Sequence, residues 1–385
     1  MMKNLYIKKI LCFSLTAFLL AGCANIKDTK DTKDTSADHT VSDISAKAST
    51  TLTPALPFDK SSYITESSLT SIGQALEDAE DEGDIEDALA EYELIYNYDT
   101  ELSVPTYITK QDDTWFIVDC YHNRVIYSED INAPLDDWFI LSSEATQPHT
   151  IASDGTVYMI DDTENNRVLI YEKVNDYYIH TQTFYEIGNR PHYTVYDKTT
   201  DTFYVWSSTT GELYCLRHTA ESSRMYLTDI RKIDDLDGIY VRSFSIIDGY
   251  IYFVSGVSDT DSAAASNILR CDLDTLEIKE KYTVPAEVAG MVQITKIQDY
   301  YYISVSTDTT GSQDYATIIK TPSLYDLSSG NYEDIYSDYF IGGGTPYYIS
   351  LVDDTYYLTE HRLKDHSIWS FKVSDNMITD VTSVF

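Results

Sequence analysis

The sequence predicts an all-β protein, a six-bladed β-propeller with four-stranded blades, and two observations carry that prediction. First, prolines recur at a fixed spacing, because Pro105, Pro148 and Pro191 follow one another at intervals of 43 residues. Second, short apolar runs and turn residues such as Asp154-Gly155 follow these prolines. A fixed period of roughly 40–50 residues that contains several short strands is typical of propeller blades.

The first 22 residues have the features of a secretory signal. Lys3, Lys8 and Lys9 make the start positive, and an apolar run follows from residue 10 to residue 20. That run is about half as long as the roughly 20 residues that a membrane-spanning helix needs. We therefore expect residues 1–22 to be a signal peptide rather than a permanent anchor.

The sequence Leu20-Ala21-Gly22-Cys23 at the end of this segment resembles the bacterial lipobox. The resemblance implies cleavage before Cys23 and lipidation of its thiol, which would anchor the chain at the extracytoplasmic face of the cell membrane. A plain signal peptide with a chance cysteine is the alternative. Residues 23–58 have a near-repeat of Lys-Asp-Thr and few large apolar residues, so they are predicted to be a disordered linker.

Residues 59–100 differ from the linker and from the repeats. Two stretches, Ala75 to Ala79 and Ile85 to Ala90, have helix-type composition with acidic faces. The stretch Tyr92 to Tyr98 alternates like a strand, and we expect it to pair with the last blade and close the ring. The alternatives are closure by Met377 to Phe385 alone, or a seventh blade within this segment.

Residues 101–385 are predicted to be the propeller. The second unit shows the four expected strands most clearly, at Pro148 to Ser153, Thr156 to Asp161, Arg167 to Glu172 and Tyr178 to Tyr185. The last three units keep the hairpin rhythm, with first strands that begin at Ser243, Gln293 and Pro346. Six units of roughly 47 residues fill the segment.

The first two units also share an Asn-Arg-Val motif, at Asn123 to Val125 and at Asn166 to Val168. Together with the proline, the Asp-Gly turn and the acidic strand ends at Asp119 and Asp161, this motif resembles NHL repeats. The resemblance is specific at 104–127 and 147–171 and partial at 189–217. It implies a six-bladed propeller in which the aspartates and the arginines tie strand ends to neighbouring loops.

The amino-acid composition restricts the classes of molecule that the chain is expected to bind. The chain has 63 acidic and 27 basic residues and a net charge of −36, which disfavours nucleic acid. Its 34 tyrosines suit half-buried sheet surfaces, and some of them would stack on sugars. Beyond the lipobox, Cys120, Cys215 and Cys271 are an odd number without metal-type spacing, so we expect buried free thiols.

The candidate site follows from the repeat. Residues that come just after each blade-opening position should converge at one mouth of the central channel: Thr106, His149, His192, Ser243, Gln293 and Tyr347, with Arg242 beside them. We expect His149, His192, Gln293, Tyr347 and Arg242 to bind a ligand there. Two histidines would suit a metal, but the other units have no histidine at this position, and strand-end hydrogen bonding is the alternative.

No catalytic motif emerges, since the chain has no Gly-x-Ser-x-Gly, no His-Glu-x-x-His and no phosphate-binding loop. We therefore predict no catalytic residue and no cofactor. The favoured hypothesis is a membrane-anchored, non-catalytic binding module for a glycan, a peptide or a partner protein. The alternative is a propeller-type enzyme, a lyase or a lactonase, with a metal in the central channel.

Overall fold

The computed structural model describes residues 65–66, 68–258, 266–308 and 315–385. The predicted signal peptide of residues 1–22, Cys23 and the linker of residues 23–58 lie outside this range. Within it, the chain forms six antiparallel sheets, each of which contains four consecutive strands in chain order, and these sheets are the six blades of a β-propeller. Three of the sheets also have a short fifth strand at their outer edge. The predicted fold class is confirmed.

The four strands of each of the first three blades follow one another along the chain. Blade 1 contains Pro105–Gln111, Thr114–Asp119, Arg124–Ser128 and Phe139–Ser142. Blade 2 contains Ile151–Ser153, Val157–Asp162, Arg167–Val174 and Tyr177–Phe184. Blade 3 contains Pro191–Asp197, Thr202–Ser207, Glu212–Thr219 and Ser222–Lys232.

The last three blades follow the same order. Blade 4 contains Ile239–Ile247, Tyr250–Ser258, Asn267–Asp272 and Ile278–Thr283. Blade 5 contains Gly290–Ile297, Tyr300–Thr307, Thr317–Thr321 and Glu333–Asp334. Blade 6 contains Thr345–Val352, Thr355–His361, Ile368–Ser374 and Met377–Ser383. A short helix at Tyr336–Tyr339 connects blades 5 and 6.

The hydrophobic core lies between the blades. Every residue of the second strands Thr114–Asp119 and Val157–Asp162 is buried, because each of these strands packs against a neighbouring blade on both faces. Large side chains fill the seams: Phe116 of blade 1 contacts Tyr158 of blade 2 with ring centroids 5.4 Å apart. This explains why the second strands are nearly continuous apolar runs.

The first strand of each blade is innermost, since the first strands of neighbouring blades contact one another around the channel. It is the edge strand of its sheet, so its backbone groups on the channel side need partners outside the sheet. Side chains supply them at all six seams. The bonds are Thr106 Oγ1 to His149 O (2.8 Å), Thr194 N to Thr150 Oγ1 (2.7 Å), His192 Nδ1 to Arg242 O (3.0 Å), Ser243 Oγ to Val292 O (2.6 Å), Gln293 Nε2 to Ile349 O (3.2 Å) and Ser350 Oγ to Ile108 O (2.6 Å).

The predicted ring closure by Tyr92 to Tyr98 is wrong. The strand there, Ile95–Tyr96, pairs with the outermost strand of blade 1 and not with the last blade. Both side chains are about half exposed, because this strand lies at the outer rim of the ring. The last blade is completed by its own strand Met377–Ser383, as the alternative held.

The segment before blade 1 follows the outer edges of three blades. Thr65–Glu66 pairs with the outermost strand of blade 3, and Ser68–Leu69 pairs with that of blade 2. Two helices follow, at Ser71–Asp78 and Glu82–Ala88, so the seven-bladed alternative is also wrong. Paired edges are protected from pairing with other chains. Within the described ranges, no helix has the length and apolarity needed to span a membrane.

The repeated aspartate and arginine pair with each other. Arg124 donates from Nη2 to Asp119 at 2.7 Å, and Arg167 donates from Nε to Asp162 at 2.5 Å. Asp119 and the arginines had been predicted to tie strand ends to loops, and in blade 2 it is Asp162, not Asp161, that bonds to the arginine. Asp162 is five residues before Arg167, as Asp119 is before Arg124. The carboxylate of Asp161 instead accepts bonds from the backbone at the start of the inner strand of its own blade.

Candidate functional site

A pocket of about 300 Å³ lies at the end of the channel where the innermost strands begin. We call it the entrance pocket. Its lining includes three of the five predicted ligand-binding residues, which are His149, Arg242 and Tyr347. It also includes side chains that the sequence did not nominate, among them Arg190, Arg362, Tyr240 and His361.

His149 and His192 come from blades 2 and 3 and stack with their ring centroids 3.7 Å apart. Tyr347 of blade 6 lies beside both, with centroid distances of 6.2 Å to His149 and 6.4 Å to His192. His361 stacks on Tyr347 at 4.2 Å. Residues from three blades that are distant in sequence therefore form one aromatic cluster at this mouth of the channel.

The hydrogen bonds of His149 define its tautomer. The hydroxyl of Thr163 donates to the carbonyl of Pro191 at 2.7 Å, so its oxygen accepts from Nδ1 of His149 at 2.9 Å. Nε2 of His149 is then an acceptor. It lies 3.9 Å from Sγ of Cys120, which also lines the entrance pocket. The thiol of Cys120 is a weak donor to this nitrogen, so a stronger donor in the pocket could replace it.

His192 uses both of its ring nitrogens within the protein. Nδ1 donates to the carbonyl of Arg242 at 3.0 Å, because a carbonyl only accepts. Nε2 accepts from the hydroxyl of Tyr240 at 3.0 Å, and the hydroxyl of Tyr347 lies 3.3 Å away. His192 is fully buried and does not line the pocket, so it positions the residues that do.

Burial controls the charge of these histidines. It lowers the pKa of His149 and of His192 well below the usual value of 6.5, and the nearby guanidinium groups of Arg190 and Arg242 act in the same direction. Burial also lowers the pKa of His361 to about 3. All three rings are therefore neutral at pH 7.

Asp161 supports His149 from behind. Its carboxylate accepts from the backbone nitrogens of His149 at 2.6 Å and of Thr150 at 2.8 Å, and also from the hydroxyl of Thr150. Complete burial raises the pKa of Asp161 to about 7, although the hydrogen bonds to it act in the opposite direction. This carboxylate holds the start of the inner strand of blade 2.

Three of the predicted residues do not join the cluster. The hydroxyls of Thr106 and Ser243 are used in the seams between blades. The amide of Gln293 donates to the carbonyl of Ile349 and accepts from its nitrogen at 2.6 Å. Gln293 lines a different pocket, of about 600 Å³, where the innermost strands end; we call it the exit pocket.

Arg190 and Arg362 were not predicted from the sequence, although one signal pointed to Arg190. Arg190 stands directly before the blade-opening Pro191, and its backbone nitrogen donates to the side chain of Asn166 at 2.8 Å. The Asn-Arg-Val motif of one blade thus positions the entry loop of the next. Arg362 follows the second strand of blade 6, where no motif marks it.

The cysteines of the propeller and its potential metal ligands also bear on the chemistry of the site. Cys120, Cys215 and Cys271 are free and buried, as predicted. Burial raises the pKa of the Cys120 thiol, so it is protonated and a poor nucleophile. In the part of the chain that the structure describes, no group of three or more His, Cys, Asp or Glu side chains is arranged to hold a metal ion.

Comparison with protein-family models and with curated protein sequences finds no match. Among solved structures, the chain is similar to a Bacteroides uniformis protein assigned as a 6-phosphogluconolactonase. The TM-score is 0.50 at 12% identity, over 72% of this chain and 84% of that one. It is also similar to a streptogramin B lyase, with a TM-score of 0.50 at 13% identity, over 74% of this chain and 85% of that one. At such identities, the comparisons show that the chain shares the β-propeller fold with these proteins.

Proposed function

We propose that the chain is a membrane-anchored extracytoplasmic lipoprotein whose NHL-like propeller binds a ligand in its entrance pocket without chemical conversion. The carrying observation is the pocket itself, in which His149, Arg242 and Tyr347 from three different blades converge. Its volume of about 300 Å³ is at the lower end of the range for small-molecule sites. A glycan terminus, a peptide terminus or an exposed group of a partner protein would fit.

The exit pocket is larger, but it supports a ligand less well. Its lysine, Lys296, is already paired with Asp248 at 2.5 Å, and Asp197 adds a further acidic side chain. The amide of Gln293 is used by the neighbouring blade. The entrance pocket instead has cationic groups and an imidazole lone pair directed to its lining.

The binding proposal is tested on glycan and peptide arrays with the full-length chain in mild detergent. We expect retention on defined array members that weakens at least tenfold in His149→Gln. His366→Gln is the matched control, because His366 lies outside the pocket and bonds to Ser383. Retention that is unchanged in His149→Gln would place the binding surface elsewhere.

The anchoring part of the proposal rests on the lipobox-like sequence before Cys23. Metabolic labelling with an alkyne-tagged palmitate should mark the wild-type chain and leave Cys23→Ala unlabelled. Cys12→Ser, a change within the predicted signal peptide, should keep the label. Equal labelling of wild type and Cys23→Ala would exclude lipidation at this residue.

An enzyme is the second candidate, and one observation favours it. Nε2 of His149 is a neutral acceptor on the pocket wall, as a general base or a metal ligand requires. Two proteins of similar fold are named as a lactonase and a lyase, but at 12% and 13% identity. Elemental analysis decides between the candidates: one tightly bound transition metal, lost in His149→Ala with His192→Ala, would favour the enzyme over the binding module.

A further inference from the structure

The entrance pocket has a charge opposite to that of the chain. The whole sequence has 63 acidic and 27 basic residues, yet among the residues that the structure describes, Arg190, Arg242 and Arg362 line the pocket and no aspartate or glutamate does. A surface with this composition would be expected to place more acids than bases in any cavity. The concentration of three guanidinium groups at one channel mouth therefore needs an explanation in terms of a ligand.

Arg242 is the cation whose charge is least compensated. Its guanidinium carbon lies 4.7 Å from the ring centre of Tyr240, and its Nη1 reaches the carbonyl of Met291 only at 3.5 Å. Among the described residues, no carboxylate forms an ion pair with it. Both contacts are to neutral groups, so this half-buried cation has no anionic partner within the described part of the chain.

The other two arginines are held in place at the rim. Arg190 forms an ion pair with Glu164, whose side chain is partly exposed. Arg362 donates from Nε to the hydroxyl of Thr345 at 2.7 Å and from Nη2 to the carbonyl of Gly344 at 2.6 Å. These bonds orient both groups before a ligand arrives, which lowers the entropic cost of binding.

Two buried acids close to the pocket, Asp161 and Glu360, offset this charge only in part. Burial raises the pKa of Asp161 and of Glu360 to about 7, so each carries only part of a negative charge at neutral pH. The three histidines are neutral and add no positive charge. The formal charges on the described lining of the pocket are therefore those of the three arginines, and the charge of Arg190 is offset in part by Glu164.

The neutral acceptor on His149 favours a hydroxyl-bearing ligand, because its only described donor is the weak thiol of Cys120 at 3.9 Å and a hydroxyl is a stronger donor. Tyr121 on the lining is 61% exposed and offers an amphipathic ring at the rim. A volume of about 300 Å³ fits one monosaccharide-sized group.

We infer that the entrance pocket binds a small polyhydroxylated oxyanion, a sugar acid or a sugar phosphate, with its anionic group on Arg242 and a hydroxyl on His149. This inference rests on the proposed binding function and specifies its ligand. Arginine suits both carboxylate and phosphate, because its planar donors bind either group in pairs.

The test is isothermal titration of the full-length chain in mild detergent with glucuronate, glucose 6-phosphate and glucose. We expect at least one of the two anions to bind at least tenfold more tightly than glucose, with an affinity that falls as sodium chloride is added. The two anionic probes separate carboxylate from phosphate recognition. Arg242→Gln should weaken the binding of that anion at least tenfold, whereas Arg242→Lys should keep part of the affinity.

Arg217→Gln is the matched control, since it removes the same charge from an arginine that pairs with Asp201 outside the pocket. Thermal melts show whether each variant is folded. If glucose binds as tightly as both anions, or if the affinity is unchanged in folded Arg242→Gln, the inference of an anionic ligand is wrong. The proposed binding function would not be contradicted by either result. No detectable binding of any of the three probes would also overturn the inference. If no array member is retained either, the proposed function would be overturned as well.

Discussion

The imidazole rings of His149 and His192 stack across the seam between blades 2 and 3, with centroids 3.7 Å apart and planes at 26°. Two protonated rings at this separation would repel each other by about 4 kcal/mol at an effective dielectric constant of about 20. Burial already disfavours the charged form of each ring. The stack is therefore a neutral pair, and its neutrality has measurable consequences.

The first prediction concerns protonation. Nitrogen NMR of the imidazoles should show no titration of His149 or His192 between pH 8 and pH 5.5, with the proton of both rings on Nδ1. His218 is the internal control, because its hydrogen bond to Asp154 raises its pKa above 6.5. His149→Gln and His192→Gln assign the signals. A transition near pH 6.5 for either stacked ring would contradict the neutral pair.

The lowered pKa of His192 also makes the stability of the fold depend on pH. Because the pKa of His192 is lower in the folded state than in the unfolded state, its contribution to stability is complete above pH 6.5 and is lost as the pH falls. His192→Gln should therefore lose less stability than wild type between pH 7 and pH 5. Guanidinium unfolding at both values measures this, and equal losses would refute it.

The second prediction is the opposite pH dependence, a loss of stability as the pH rises. Glu360 is fully buried and accepts from the hydroxyl of Tyr336, and burial raises its pKa to about 7. The folded state therefore holds a proton between about pH 4.5 and pH 7 that the unfolded state has released, so stability falls as the pH rises through this window.

Glu360→Gln removes that dependence. The variant should be more stable than wild type by about 2 kcal/mol at pH 8, and the difference should shrink towards pH 5. Unfolding curves at pH 5, 6.5 and 8 measure it. Glu129→Gln, at an exposed position, should show no such trend. A difference that is the same at pH 5 and pH 8 would rule out a buried, ionising Glu360.

The third prediction concerns ring closure. At the seam between blades 6 and 1, the hydroxyl of Thr359 donates to the carbonyl of Thr106 at 2.7 Å, and both residues are fully buried. Thr359→Val keeps the shape but leaves a buried carbonyl without its partner, so it should destabilise the fold by about 1–2 kcal/mol. Thr382→Val, on an exposed site of the same blade, should change stability by less than about 0.5 kcal/mol. Equal effects would mean that the seam bond is not stabilising.

The fourth prediction compares two helical glycines. A Cβ at Gly73 would lie 2.2 Å from the carbonyl oxygen of Thr181, so Gly73→Ala must push the first helix away from blade 2. At Gly83 the nearest group is the flexible carboxylate of Asp81, at 3.1 Å. Gly73→Ala should speed proteolysis between the helices and blade 1, whereas Gly83→Ala should be neutral or slightly protective. Equal cleavage rates would show that the helix does not depend on this contact.

The strands were predictable because their signals are local. The interval of 43 residues, the Asp154-Gly155 turn and the apolar runs each act over a few positions, and the six blades follow from them. The partner of Ile95–Tyr96 was not predictable, because an alternating strand pairs equally well with any open edge. Which edge is open depends on the whole ring.

The candidate site was likewise predictable only in part. His149, His192 and Tyr347 stand at equivalent positions of their repeats, so the period alone brought them together. Irregular pairing at the start of the inner strand leaves out His192 in blade 3 but Val292 in blade 5, so Gln293 lies one position further along its strand, and its amide bonds to the next blade. The position of such an irregularity leaves no clear mark in the sequence.

The sequence by itself determined the repeat, the number of blades and the end of the channel at which the histidines meet. The tertiary structure alone decided that Arg190, Arg242 and Arg362 share one pocket, and that the stacked imidazoles are neutral. The physical reason is the range of the interactions. Turn and strand preferences act between neighbours along the chain, whereas burial and electrostatic fields arise only after distant blades close into a ring.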